Sequence, residues 1–212
     1  MSETGRHAGT LPLRGERLCL DFANTAGWHA GDHPEEWLTS YAAVVAWSQH
    51  AGAVSDDEAA RLLHDAAERP AEAAGVLAQA IALREAIYRI FAASAARQAP
   101  EAAALATMNR ALPLALAHAR VVPAAGDFTW SWDDAGTLDR PLWPVVRSAA
   151  QLLTSNELSR VRACAGYPCG WLFVDLTKNH SRRWCATQDC GNRVRVRQHY
   201  ARQRAGRTHG NP

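Results

Sequence analysis

The chain contains 212 residues, of which 48% are apolar, so it can bury the core of one large and one small domain or of two modest domains. It has no run of about 18 uncharged apolar residues and no apolar stretch behind a basic N-terminus. These features argue against a membrane-spanning or secreted protein, and we expect a soluble, cytoplasmic one without a membrane partner.

The net charge of +2 conceals an uneven distribution. From Glu157 to the C-terminus there are eleven lysines and arginines against three acids, whereas the rest of the chain holds twelve bases and eighteen acids. An acidic body and a basic tail are typical of two units with different partners. The polar segment 154–156 is the expected junction, which divides the chain into domains over residues 1–154 and 155–212.

Apolar periodicity predicts a mainly helical first domain. The spacing indicates helices over about residues 34–49, 56–69, 71–98, 100–112 and 138–153. Gly52 is positioned to end the first of these helices, and Ser55 with Glu58 has the form of a capping box at the start of the second. The apolar run 18–25 fits either a short buried strand or the turn before a helix. Segments 119–122 and 127–132 are rich in β-forming residues and predict a hairpin.

Four of the five cysteines form two matched C-x4-C pairs separated by fifteen residues, Cys164 with Cys169 and Cys185 with Cys190. Four thiolates at this spacing are typical of a tetrahedral Zn²⁺ site with no open position. We therefore predict one structural zinc per chain, with a strand at 158–163 and a hairpin between the pairs. Free or disulfide-paired cysteines are the alternative, and the x4 spacings do not match the ferredoxin runs of iron–sulfur proteins. Cys19 lies in an apolar run and is expected to be a small buried side chain.

The segment after Cys190 is rich in arginine and contains no acid. As a helix it would carry a cationic surface suited to phosphates, with Val194, Gln198 and Ala201 left for packing on the hairpin. The predicted nucleic-acid-binding residues are Arg182, Arg183, Arg193, Arg195, Arg197, Arg202 and Arg204. The alternative is a solvated charged face.

A second group of polar and aromatic side chains follows the first apolar run. Its members, which are candidate ligand-binding residues, are Asp21, Asn24, Thr25, Trp28 and His29. Asp21 and Asn24 fit equally well as turn or cap residues. No P-loop, GxGxxG, HExxH or GxSxG motif is present, so the sequence gives no positive indication of an enzyme.

Two sets of motifs carry a resemblance to known families. Residues 164–204, with C-x4-C-G-W-L-F-V-D, N-x-S-R-R-W-C and C-G-N-R, resemble the CGNR zinc finger of bacterial proteins. L-C-L-D-F-A-N-T at 18–25, Trp47 and P-L-W-P-V at 141–145 are similar to the ABATE domain that accompanies this finger. The resemblance implies that the four paired cysteines are zinc ligands in a stress-induced transcription regulator whose finger contacts nucleic acid.

The expected fold is α+β and mainly helical: a helical N-terminal domain with a short β-hairpin, then a small zinc-ribbon-like module ending in a basic helix. The leading hypothesis is a zinc-containing regulator that binds nucleic acid, with DNA as the expected partner, and whose N-terminal domain senses a small-molecule effector or stress signal. The alternative is a small-molecule-binding protein or enzyme with its site in the N-terminal domain. The sequence leaves open whether the protein forms a homodimer.

Overall fold

A computed structural model describes residues 7–133 and 136–208, with side chains up to residue 204. Within these residues the helices are α1 (Leu18–Ala23), α2 (Tyr41–His50), α3 (Asp56–Glu68), α4 (Pro70–Ala95), α5 (Ala102–Ala117), α6 (Trp143–Leu153) and α7 (Asn192–Thr208). The strands are β1 (Ala26–Gly27), β2 (Glu35–Glu36), β3 (Ala119–Ala124), β4 (Asp127–Trp132), β5 (Val161–Ala163) and β6 (Leu172–Val174), and they form three antiparallel pairs in sequence order. The mainly helical α+β prediction is confirmed.

The apolar run 18–25 forms α1, which resolves the choice between strand and helix. Leu20 and Phe22 are fully buried, and the helix packs against α6 and α4 at the centre of the molecule. Cys19 is buried as expected, and its backbone N–H donates to Ser148 Oγ at 3.1 Å. The motif is thus the middle of the core, because a short helix with apolar residues on all faces must be enclosed.

The prediction of a helix from residue 34 is wrong at its start. Ser40 caps α2, its Oγ accepting the N–H of Ala43 at 3.1 Å, and β2 pairs with β1 just before it. Trp37 and Leu38 are buried outside any helix, so their helix-like spacing reflects burial in a loop. Gly52 follows the helix with a φ of 69°, the left-handed conformation expected of a helix stop.

Most of the other elements of the first domain match their predictions. Ser55 and Glu58 form the capping box at the start of α3, and β3 pairs with β4 as a hairpin. Helix α5 continues through Pro113 to Ala117, so this proline does not end it. Two 3₁₀ turns, Ala8–Thr10 and Arg140–Leu142, precede α1 and α6.

The strands of the zinc module pair differently from the prediction. Strand β5 pairs with β6, so the hairpin encloses the first cysteine pair instead of lying between the two pairs. The strand expected at 158–163 forms only from Val161, because residues 156–160 adopt a 3₁₀ turn, and residues 181–184 contain no strand. A backbone hydrogen bond, from Ala165 N–H to the carbonyl of Arg183 at 2.9 Å, joins this segment to the first cysteine loop.

The hydrophobic core is continuous across the expected domain junction. All three residues of β6 are fully buried, and the strand packs against α1 and α4 of the N-terminal unit. The zinc module is therefore docked onto this unit, and the division at residue 154 stays a prediction. Within the described residues no helix is both long and apolar enough to cross a bilayer.

Candidate metal centre and nucleic-acid interface

The four paired cysteines converge on one point. Their sulfur atoms all lie within 4.8 Å of one another and all four residues are buried. The Sγ atoms of Cys169 and Cys185 are 3.7 Å apart, and those of Cys185 and Cys190 are 3.6 Å apart. Four Zn–S bonds of about 2.3 Å in a tetrahedron require sulfur separations of about 3.8 Å. The geometry fits one structural zinc, and the predicted ligand set is brought together complete.

Two loops of the same length position the thiols by different means. The first closes the β5–β6 hairpin, where the N–H of Cys164 donates to the carbonyl of Trp171 at 2.8 Å. The second passes through a π-helical turn, Thr187–Gly191, that leads directly into α7. Gly166 is required where the loops meet, because a Cβ there would lie 2.9 Å from the Cβ of Cys190.

The close approach of the thiols couples their ionisation. Hydrogen bonds from Cys169 and Cys185 hold the pKa of the Cys164 thiol far below its ordinary value. The same contacts with Cys164 raise the pKa of Cys169 and of Cys185. A divalent cation bound among the sulfur atoms would stabilise the thiolate form of its ligands.

The zinc module docks through the segment that the sequence proposed as a ligand site. The side-chain amide of Asn24 donates to the carbonyl of Leu172 at 2.9 Å, and its Oδ1 accepts the N–H of Leu172 at 2.8 Å. The backbone N–H of His29 donates to the carbonyl of Cys169 at 3.0 Å. Gly170 must be a glycine here, since its φ is 70° and a Cβ would lie 2.6 Å from the backbone N of Ala30. Main-chain contacts thus join the unit to the first cysteine loop.

Asp21 and Thr25 are engaged inside the protein. Asp21 Oδ1 accepts the backbone N–H groups of Arg14 and Gly15 at 2.6 and 2.7 Å, and burial raises the pKa of this carboxyl to about 6. Thr25 Oγ1 donates to the carbonyl of Phe22 at 2.7 Å. These contacts are those of turn and cap residues, the alternative that the sequence left open. Ligand binding by the predicted group stays a prediction.

His29 belongs to a network that no local pattern in the sequence predicts. Its ring stacks on Tyr88 with centroids 3.6 Å apart, and its Nε2 lies 3.2 Å from Glu85 Oε2. The hydrogen bond to His29 is the main cause that lowers the pKa of Glu85 to about 2. Next to it, the buried Arg84 forms a bidentate ion pair with Glu36 at 2.5 and 2.7 Å. His29 lies 56 residues from Glu85 and Glu36 lies 48 residues from Arg84, and no spacing rule connects such pairs.

The arginines of the C-terminal segment fall into two groups. Arg182 lies inward: its guanidinium donates to Glu16 Oε1 at 2.9 Å and to the carbonyl of Cys185 at 2.8 Å, and lies 4.3 Å from the ring centroid of Phe173. Arg193 donates to Cys190 Sγ at 3.0 Å and lies 4.6 Å from the ring centroid of Trp28. Both link the zinc centre to the N-terminal unit.

The remaining predicted arginines face outward. Arg183 and Arg195 are exposed beside the Trp184 ring, at 5.5 and 5.8 Å from its centroid. Arg197 donates to the carbonyl of Tyr167 at 2.7 Å. Arg202 bonds to the carbonyl of Gln198 one turn earlier, at 3.3 Å. Arg204 is exposed near the end of the described side chains.

Helix α7 stands away from the hairpin. Val194 is half-buried, whereas Gln198, Ala201 and every other residue from Arg195 to Arg204 are exposed. The prediction that Gln198 and Ala201 pack on the hairpin is therefore wrong. The first turn of α7 packs against the π-helical turn, and Arg197 bonds to the carbonyl of Tyr167, whereas the side chains from Arg195 to Arg204 are exposed.

Comparison with family models agrees with this architecture. Residues 160–203 match the CGNR zinc finger, and no curated protein matches the chain. Residues 16–156 match the ABATE model, whose description is "putative stress-induced transcription regulator". Because this second match covers more than half of the 212 residues, the chain belongs to the ABATE family, and it carries a CGNR zinc finger with one structural zinc site.

Proposed function

We propose that the protein is a transcription regulator whose helix α7 binds DNA and whose N-terminal unit senses a ligand or stress signal. The observations that support this proposal are the exposure and the charge of α7. The helix is exposed from Arg195 to Arg204 and has no acidic residue. An arginine-rich surface of this kind is the electrostatic footprint of a nucleic-acid-binding element.

The energetics of α7 also favour an anionic partner. A helix that is polar on all sides gains nothing from core packing, and like charges one turn apart, such as Arg193 with Arg197, weaken it by a few tenths of a kcal/mol per pair. Phosphates against these side chains would remove the repulsion. At about 1.5 Å per residue, the 17 residues of α7 extend over about 25 Å, and the major groove of DNA is wide enough to admit them.

The zinc centre has a supporting role in this proposal. Four thiolate ligands leave Zn²⁺ no open position for a substrate or a water molecule, so its contribution is structural. It fixes the π-helical turn and the first turn of α7, which sets the direction in which the arginines extend. Tyr200, 59% exposed in the middle of the helix, adds an aromatic surface for contact with sugar or bases.

The test is a binding titration with matched charge variants. Fluorescence anisotropy with a random duplex of about 30 base pairs should show binding that weakens steeply as salt rises. The double variant Arg195→Gln/Arg202→Gln should bind at least about tenfold more weakly, with a salt slope smaller by about 2. Arg89→Gln/Arg110→Gln removes two equally exposed arginines from α4 and α5 and should bind as the wild type does.

Three outcomes would overturn the proposal: no binding to duplex at low salt, equal losses in the two double variants, or a clear preference for single-stranded RNA over duplex DNA. The third would keep α7 as a nucleic-acid-binding element but replace the partner.

A further inference from the structure

A cavity of about 330 Å³ is lined by residues of both the N-terminal unit and the zinc module. Three indole side chains line it: Trp28 and Trp37 from the N-terminal unit and Trp171 from the zinc module. Glu35 lines the same space, as do the π-helical turn and the start of α7 through Asp189 and Arg193. A molecule bound here would touch both units and the base of α7 at once.

The zinc ion does not account for this space. Cys169, Cys185 and Cys190 are three of the fourteen lining residues, and Zn²⁺ bonded at about 2.3 Å would lie among their sulfur atoms. Trp28 and Glu35 of the N-terminal unit line the cavity as well. The volume is also about that of the smaller ligand pockets found in proteins.

The charges around the cavity favour a cationic occupant. Arg14 is already paired with Asp189 at 2.5 Å, and Arg193 already donates to the thiolate of Cys190. In the part of the chain that the structure describes, Glu35 has no ion pair, and its side chain is exposed to the cavity. Four thiolates also carry more negative charge than one Zn²⁺ neutralises. The unbalanced charge is therefore negative.

The aromatic walls point to the same class of ligand. Tryptophan is the strongest cation–π acceptor among the side chains, and cages of aromatic rings with a carboxylate suit alkylated ammonium groups. Trp28 already holds the guanidinium of Arg193, 4.6 Å from its ring centroid. Trp37 and Trp171 meet edge to face, with centroids 5.9 Å apart and planes at 81°, which provides two perpendicular walls.

We propose that this cavity is a binding site for a small organic cation of the alkylammonium class, with Glu35 as the counter-charge and the indoles as the walls. Its regulatory consequence rests on the proposed function of α7. A cation bound on Trp28 competes with Arg193, which connects Trp28 to Cys190 and lies in the first turn of the helix. Binding thereby changes how the base of α7 is held.

The first experiment measures binding without nucleic acid, so it does not depend on the DNA proposal. The zinc-loaded full chain is titrated with choline and with its neutral isostere 3,3-dimethylbutan-1-ol, by calorimetry and indole fluorescence. Saturable binding of choline, at least about tenfold tighter than that of the isostere, is expected from the cation–π contribution. Absence of saturation with choline, or equal affinity for the two compounds, would overturn the site.

Variants test the walls and the counter-charge separately. Trp28→Ala should abolish choline binding, Trp28→Phe should retain part of it because a weaker aromatic face remains, and Glu35→Gln should weaken it several-fold. Trp130→Ala removes a tryptophan that is 45% exposed outside the cavity and should change nothing. Each variant is first checked for wild-type zinc content, which shows that the module is folded. Unchanged affinity in Trp28→Ala with zinc retained contradicts the proposal.

The regulatory consequence has its own readout. Choline at saturating concentration should shift the affinity of the wild type for duplex DNA, and the shift should vanish in Trp28→Ala. If choline binds but leaves the DNA affinity unchanged, the site stands and the coupling to α7 is refuted. If DNA does not bind under any condition, the proposed function fails while the result of the choline titration is unaffected.

Discussion

Arg182 and Arg202 belong to the same basic segment, yet they lie in opposite environments. Arg182 is only 21% exposed and bonds to Glu16, to backbone carbonyls of the zinc module and to the face of Phe173. Arg202 is exposed and bonds only within its own helix. The zinc module therefore has a docked side and a free side, and charge alone does not distinguish them.

The two sides are held by different forces. The docked side buries β6, where Asn24 bonds to Leu172, and the backbone N–H groups of residues 29 and 30 donate to the carbonyls of the first cysteine loop. The free side, α7, has almost no buried surface and depends on the metal site for its starting point. A change to the metal should therefore affect both sides, whereas a change to either side alone should leave the other largely intact.

Loss of a zinc ligand should have the largest effect. Cys185→Ser should lower the zinc content well below one per chain, and with it a folding contribution on the order of 10 kcal/mol. Metal analysis should show the loss, and limited trypsin digestion should cleave the segment 182–204 much faster than in the wild type. Cys19→Ala alters a cysteine buried outside the site and should keep its zinc. A wild-type zinc content in Cys185→Ser would contradict the closed four-thiolate centre.

Asn24→Ala should disturb the docked side next most strongly. The buried amide satisfies both the N–H and the carbonyl of Leu172, and each backbone group left without a partner costs about 1–3 kcal/mol. We expect the free energy of unfolding, measured by urea denaturation, to fall by about 2–5 kcal/mol. Asn109→Ala, at an exposed position of α5, should change it by less than about 0.5 kcal/mol. A small effect at Asn24 would show that the module docks by other contacts.

The metal site was the part of the molecule that the sequence predicted best. Its ligands are identified by residue type and short-range spacing, which do not depend on the path of the rest of the chain. The helices α3 and α4 were predicted equally well, because the capping box and the apolar periodicity are local signals. The pairing of β5 with β6 was missed because three-residue strands leave several hairpins compatible with one sequence.

Long-range contacts explain the remaining differences. The sequence drew attention to the segment 21–29 as unusually polar, but the partners of Asn24 and His29 lie near residues 172 and 85. Likewise, Arg193 and Arg195 are two residues apart in the sequence and both exposed, and only the structure distinguishes the one bonded to Cys190 from the one beside Trp184. Tertiary packing determines the contacts of these side chains, and local sequence patterns do not reveal it.

The smallest expected effects come from a pair of single substitutions, one on the docked side and one on the free side, which compare the two sides directly. Arg182→Gln should lower the free energy of unfolding by about 2–4 kcal/mol, because it removes an ion pair and several partly buried hydrogen bonds together. Arg202→Gln should change it by less than about 0.5 kcal/mol, since its side chain is exposed.

In binding, the order of the two variants should reverse. Arg202→Gln should reduce the salt slope of DNA binding by about 1, as expected for one lost phosphate contact. Arg182→Gln, measured under conditions where it is folded and zinc-loaded, should keep the wild-type slope because its guanidinium is already occupied by Glu16 and the carbonyl of Cys185. Equal slopes in the two variants would mean that the inward-facing arginine leaves its partners to meet the DNA, and the distinction between docked and free sides would not hold in the complex.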